Sequence, residues 1–159
     1  MKPNKYYSNI QEKLVASMID GKQVTGSGAR PFHYGDVISD EWLVECKTHT
    51  EPGHNIYFGA DIWSKIQKEA IFHHRMPALV VDEGSQKSQN TWCLIHKHNV
   101  DWSTYSLYGT KNITTKNITL RNEDLQELYS TLDYSQLYSF KWNNKEVVIL
   151  PLERFSEMM

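Results

Sequence analysis

The chain has 159 residues, 40% of them hydrophobic and 23% charged, with a formal net charge of −2. That length fits one domain, 1–159, with a core large enough to fold alone, and the composition is ordinary for a globular protein. No apolar run is long enough to cross a bilayer. The opening MKPNKYYSNIQEK is too polar for a secretory signal, and two cysteines, Cys46 and Cys93, supply no disulfide framework. The expected setting is therefore reducing and cytoplasmic.

The charge is unevenly spread. Residues 1–30 carry five bases against two acids, 31–70 three against seven, 71–120 five against three, and 121–159 four against seven. An acidic middle between basic flanks suits a metal site inside a phosphate-binding groove, although sampling alone can also produce it.

In chain order, SNIQEKLVASMIDG reads as a first helix. Ser8 and Gln11 have capping-box spacing and Gly21 is a natural stop. Ile10, Leu14 and Met18 form an apolar stripe; Val15 and Ile19 widen it on the side of Glu12, which places Glu12 near a buried boundary. TGSGARPFHYG is a loop by its glycines and proline. GDVISDEWLVECKT reads as two strands joined at Asp40-Glu41. ADIWSKIQKEAIFHH is a second helix on the spacing of Ile62, Ile66, Ala70 and His73. PALVVD, TWCLIHKHNV and TKNITL are strand-like, RNEDLQELYSTL is a helix with acids in its first turn, and KEVVILP is a last strand before LERFSEMM. This order predicts an α/β (α+β) domain, a mixed sheet with helices on its faces.

The hairpin carries the chemistry. Alternation puts Leu43, Glu45 and Lys47 on one face of a strand and Val44 and Cys46 on the other. Antiparallel pairing across the turn brings Asp36 beside Glu45. Two carboxylates that close repel unless a positive charge lies between them, and oxygen ligands of this type favour Mg²⁺, with Mn²⁺ able to substitute. Lys47 can stabilise charge growing on a phosphate. Acids, metal and lysine together are what phosphodiester hydrolysis needs. A solvated Glu-x-Lys hairpin is the competing reading of the motif alone.

The surrounding residues carry a resemblance. Glu12, GSGAR (26–30), GDV (35–37), ECK (45–47), IQKEA (66–70) and MPALVV (76–81) together resemble the PD-(D/E)XK nuclease superfamily, and within it the Holliday junction resolvases of archaea and bacteriophages. The resemblance spans roughly the first half of the chain. It implies a restriction-endonuclease-like mixed central sheet flanked by helices, with Asp36 and Glu45 as metal ligands, Glu12 completing the metal site, and Lys47 as the catalytic lysine. It further implies a homodimer that cuts four-way junctions or other branched DNA with Mg²⁺, with Ser27 and Gly28 in a DNA-contacting loop. Gly35 stands where the family has a proline, a change many members share. Gln67 is followed by Ile71, so the glutamine-tyrosine pair of related exonucleases is missing. Alternatives are a nicking or restriction-type nuclease with the same site, and a non-catalytic DNA-binding or assembly protein on the same fold.

Arg30, Lys65, Lys68 and Arg75 flank the hairpin and suit a DNA groove. The tryptophans and tyrosines read as core and interface residues, with Trp42, Tyr57 and Trp63 as the alternative candidates to stack on an unpaired base. His73, His74, His96 and His98 have no compact zinc-ligand spacing with the two cysteines, and read as helix-end and strand-face residues.

Overall fold

The structure, a computed structural model, describes residues 2–24 and 35–159. In chain order these form α1 (Asn4–Met18), β1 (Lys22–Gln23), β2 (Val37–Ile38), β3 (Trp42–Lys47), β4 (Ile56–Phe58), α2 (Ala60–Phe72), β5 (Met76–Asp82), β6 (Thr91–His96), β7 (Ser106–Ile113), β8 (Ile118–Leu120), α3 (Asn122–Ser130), β9 (Gln136–Trp142), β10 (Lys145–Pro151) and α4 (Leu152–Ser156). Among these residues no helix is long and apolar enough to cross a membrane.

The architecture is mixed α/β. An eight-stranded sheet runs in the order β1-β2-β3-β5-β6-β10-β9-β7, and β4 pairs with β8 in a separate ribbon. Strands β3 and β5 are parallel, as are β7 and β9; the other neighbours are antiparallel. The centre of the sheet is buried on both faces. Residues 42–46 of β3, 77–82 of β5 and 147–150 of β10 are all buried, which is why these segments are apolar runs with little alternation. Helix α2 buries Trp63, Ile66 and Ala70, one stripe at helical spacing. Helix α3 places Glu123 and Asp124 in its first turn and buries Leu125 and Tyr129. The Tyr129 hydroxyl donates to the Ile149 carbonyl and accepts the Tyr138 amide, fastening α3 to β9 and β10.

Helix α1 starts a turn earlier than its capping signal predicts. Its N-cap is Pro3, and Ser8 and Gln11 lie inside the helix. Gln11 and Val15 are its buried residues, whereas Ile10 is 38% exposed, so the inward face is turned away from the Ile10 stripe. Glu12 is half-buried, at the boundary the sequence predicts. The stop is also displaced. Asp20, not Gly21, takes the left-handed conformation (φ 54°), and the Gly21 amide returns to the Ala16 carbonyl at 2.8 Å, a Schellman closure.

Trp42 and Trp63 are 2% and 0% exposed, core residues as the first reading has it, which removes the stacking alternative for both; Trp42 packs edge-on against Phe155. Tyr57 is exposed. Arg75 donates to the carbonyls of Ser39 and His73, holding the end of α2 to the β2–β3 turn, so it is a tie within the fold. His73 is the C-cap of α2 and not part of its buried stripe.

Candidate active site

The β2–β3 hairpin is short for a physical reason. Its turn closes through the Ser39 amide on the Trp42 carbonyl, with the Ser39 hydroxyl accepting the Trp42 amide. Val37 pairs with Val44 and Ile38 with Leu43, and β2 extends no further. Beyond that point the Asp36 side chain takes over from the strand. Its backbone N–H donates to the Val44 carbonyl, and its Oδ2 accepts the Cys46 amide at 2.8 Å. Asp36 is thereby fixed beside Glu45, as the antiparallel reading requires.

Helix α1 supplies the third acid. Gln11 is fully buried and its Nε2 donates to the Lys47 carbonyl at 2.6 Å. That bond pins α1 to the end of β3 and brings Glu12 toward the same point. The three carboxyls and Lys47 line one open cleft of about 440 Å³, together with Tyr7, Ser8, Thr48 and His49.

The electrostatics are those of crowded acids. Burial raises the proton affinity of Glu45, and the charge of Asp36 raises it further, against the opposing pull of Lys47 and Lys65. Asp36 is raised by burial and by Glu12, with the Cys46 amide working the other way. Glu12 is raised by burial and by Glu45, offset in part by a hydrogen bond from Gln23 and by the charge of Lys47. Lys47 Nζ stands 3.5 Å from one Glu45 oxygen and Lys65 Nζ 3.7 Å from the other, both cations about half exposed. Those separations in a solvated rim provide weak compensation.

The chemistry of this donor set suits a hard divalent cation. Asp36 and Glu45 offer adjacent oxygens whose mutual repulsion such an ion would remove. Among the described residues no group of three His, Cys, Asp or Glu side chains is disposed to hold a metal. The structure thus joins Asp36 and Glu45 as a pair, with Glu12 near enough to act on their charge but outside a closed ligand set.

The basic residues divide. Lys65 turns inward, bridging Glu45 and, at 3.8 Å, Glu69. Lys68 is exposed and in no ion pair among the described residues. Ser27, Gly28 and Arg30 lie outside the described residues. Gln67 donates to the Trp63 carbonyl of its own helix.

Residues that local pattern does not reveal also shape the cleft. The parallel register sets Lys47 opposite Val81, so Thr48 meets Asp82 at the end of β5. Asp82 is fully buried. One oxygen accepts the Thr48 hydroxyl and the Gly84 amide, and Oδ2 has no hydrogen-bond partner among the described residues. Gln86 donates to both the Thr48 hydroxyl and the His49 carbonyl. His49 stacks on His54 with centroids 3.8 Å apart, and burial followed by the His54 charge lowers its pKa.

Asp82 yields a prediction about stability. Burial pushes its pKa up to about 6, so between roughly pH 4 and 6 the folded chain holds a proton that the unfolded chain has released. Stability from this group is therefore present below that window and lost as pH rises through it, by on the order of 2–3 kcal/mol. In chemical denaturation at a series of pH values, Asp82→Asn keeps the acceptor oxygen and is expected to lack that share of the decline. Parallel curves for wild type and variant from pH 4 to 7 would contradict the assignment.

No protein-family model, no curated protein and no solved structure matches the chain. The cleft's chemistry has to be read from its own residues.

Proposed function

We propose that the chain is a divalent-metal-dependent DNA endonuclease of restriction-endonuclease-like fold, acting on branched DNA in the manner of a Holliday junction resolvase. The observation that carries the reading is the Asp36–Glu45 pair, desolvated and repelling, beneath Lys47 at the end of β3. Burying two like charges side by side opposes folding unless a ligand repays it, and a bound Mg²⁺ or Mn²⁺ supplies charge neutralisation and an acidified water.

Asp36 and Glu45 would hold the cation. Asp36 is oriented by the Cys46 amide on its Oδ2, and its other oxygen would be offered to the ion. Lys47, half exposed at the cleft mouth, is placed to meet a phosphate oxygen as negative charge grows there. Glu12, with its raised proton affinity, is suited to take the proton of the attacking water. The water oxygen would bond to phosphorus as Glu12 takes its proton, the phosphorus–oxygen ester bond would break, and the leaving oxygen would take a proton from solvent. One cleft cuts one strand; paired cuts across a junction need a two-fold dimer with two clefts.

The test compares a four-way junction with linear duplex of the same sequence, in Mg²⁺ and in EDTA. Metal-dependent cuts in the junction and none in the duplex are expected. Equal cutting of both substrates would make the protein a nicking or restriction-type nuclease. The lack of a three-ligand group among the described residues favours one other reading, a non-catalytic DNA-binding or assembly protein. Junction binding with no cleavage in either Mg²⁺ or Mn²⁺ would establish it.

A further inference from the structure

A second cleft, of about 690 Å³, lies at the other end of the sheet from the acids. The registers place it there. Lys47 is level with Val81 at the end of β5, whereas Ile95, just before His96, is level with Ala78 near its start. By strand rise and spacing the two clefts are roughly 15 Å apart.

Its lining is basic in a chain whose net charge is −2. Lys97, Lys141 and Lys145 face Glu146 as the one acid, so three cations meet a single anion. Glu146 is opposite Lys141 across the β9–β10 hairpin, yet its carboxylate reaches Lys97 at 3.6 Å. Lys141 and Lys145 are exposed and make no ion pair among the described residues. Flat π surfaces stand beside these charges. His96 and His98 stack at 4.6 Å with their planes within 19°, and Trp102 is held by its indole N–H on the Lys97 carbonyl. The His96 imidazole is kept neutral, its pKa lowered to about 4 by burial, His98 and Lys145. An uncharged ring next to unpaired ammonium groups is the combination that takes a base and its phosphate together. The volume is ample for one nucleotide.

We propose that this cleft binds a single-stranded nucleic acid, seating a phosphate on Lys141 and Lys145 and a base against the His96–His98 stack. It does not depend on the nuclease reading, because a protein that cuts nothing would still bind a strand here.

The probe is fluorescein-labelled dT10, followed by anisotropy in EDTA across a salt series, so that no cleavage intervenes. Lys141→Ala/Lys145→Ala is expected to weaken binding by about tenfold at low salt and to flatten the log–log salt slope by about 1.4, the loss of two single-strand phosphate contacts. His98→Ala, at an exposed position, is expected to weaken binding with the slope unchanged, as loss of stacking does. Lys87→Ala, at an exposed position lining neither cleft, is expected to leave dT10 binding intact, and because the assay is run in EDTA, failure at the acidic cleft stays distinguishable from failure here. Equal affinity and slope in wild type and the double-lysine variant would overturn the proposal. So would binding of inorganic pyrophosphate or ATP to this cleft with none of dT10, which would assign a free phosphate ligand instead of a strand.

Discussion

Asp36→Asn and Glu45→Gln are each expected to lower metal-dependent junction cleavage by at least about 10³-fold while making the metal-free protein more stable. Both effects have one cause. Burial raises the proton affinity of both, the Asp36 charge raises Glu45 further, and the Glu45 charge raises Glu12. Removing one charge relieves the acid it acts on, a gain of about 1–2 kcal/mol, or roughly 2–8 °C in melting temperature for a chain of this size. Because the two titrate together, the double variant should gain less than the sum of the single gains. Glu45→Gln is the cleaner test, since Asp36 also accepts the Cys46 amide. Millimolar Mg²⁺ should raise the melting temperature of wild type and not of either variant. Wild-type cutting rates in both variants would remove these residues from the chemistry. Equal Mg²⁺ stabilisation of all three proteins would remove them from the metal.

The sequence made this site partly legible because strand alternation and a tight turn are local. Asp36, Glu45 and Lys47 follow from reading one hairpin, and Glu12 from reading one helix. Gln11, Thr48 and Asp82 do not, because they meet through the parallel pairing of β3 with β5 and the docking of α1, which no local period encodes. The same divide runs through the fold. Strands β3, β5, β6 and β10 are apolar runs and announce themselves. Strand β9 hides because it buries Ser139, whose hydroxyl meets Thr110 at 2.7 Å, where alternation calls for an apolar residue. Strand β7 is a sheet edge exposed along most of its length, so it shows no hydrophobic period at all. Ribbon β4–β8 offers three residues a side, too short for a period to show, although Ile56, Tyr57 and Phe58 are all strand formers. Helix α4 is one short turn-and-a-half. It is held by Leu152 and Phe155 in the core and by Arg154, whose guanidinium donates to the carbonyls of residues 132, 133, 134 and 136. The Ser8–Gln11 pair misleads for the complementary reason. Its spacing is right for a cap, but burial of Gln11 against Lys47 is what the tertiary structure uses it for.

Gly35→Pro is the sharpest test of how this chain positions its aspartate. The resemblance treats glycine before Asp36 as an acceptable exchange for proline, yet the backbone here does not. Gly35 has φ +69°, and a proline ring holds φ near −65°. A Cβ at this position would also stand 2.9 Å from the Val44 carbonyl oxygen and 3.1 Å from Leu43 Cγ. The Gly35 amide donates to Glu69 Oε1 at 3.0 Å, a donor proline lacks. Among the described residues Glu69 Oε2 is already buried without a hydrogen bond, so the substitution would leave that carboxylate, among these residues, with the Lys65 contact at 3.8 Å. Lost donor, forbidden φ and steric contact add in one direction, and a loss of roughly 3 kcal/mol or more is expected. Gly35→Ala keeps the amide and should lose less, the difference reporting the Glu69 bond and the ring. Thermal unfolding of both variants measures this directly. A Gly35→Pro protein that melts within about 2 °C of wild type would mean that the 35–36 backbone can adopt the extended form. The glycine would then be the neutral exchange that the resemblance implies.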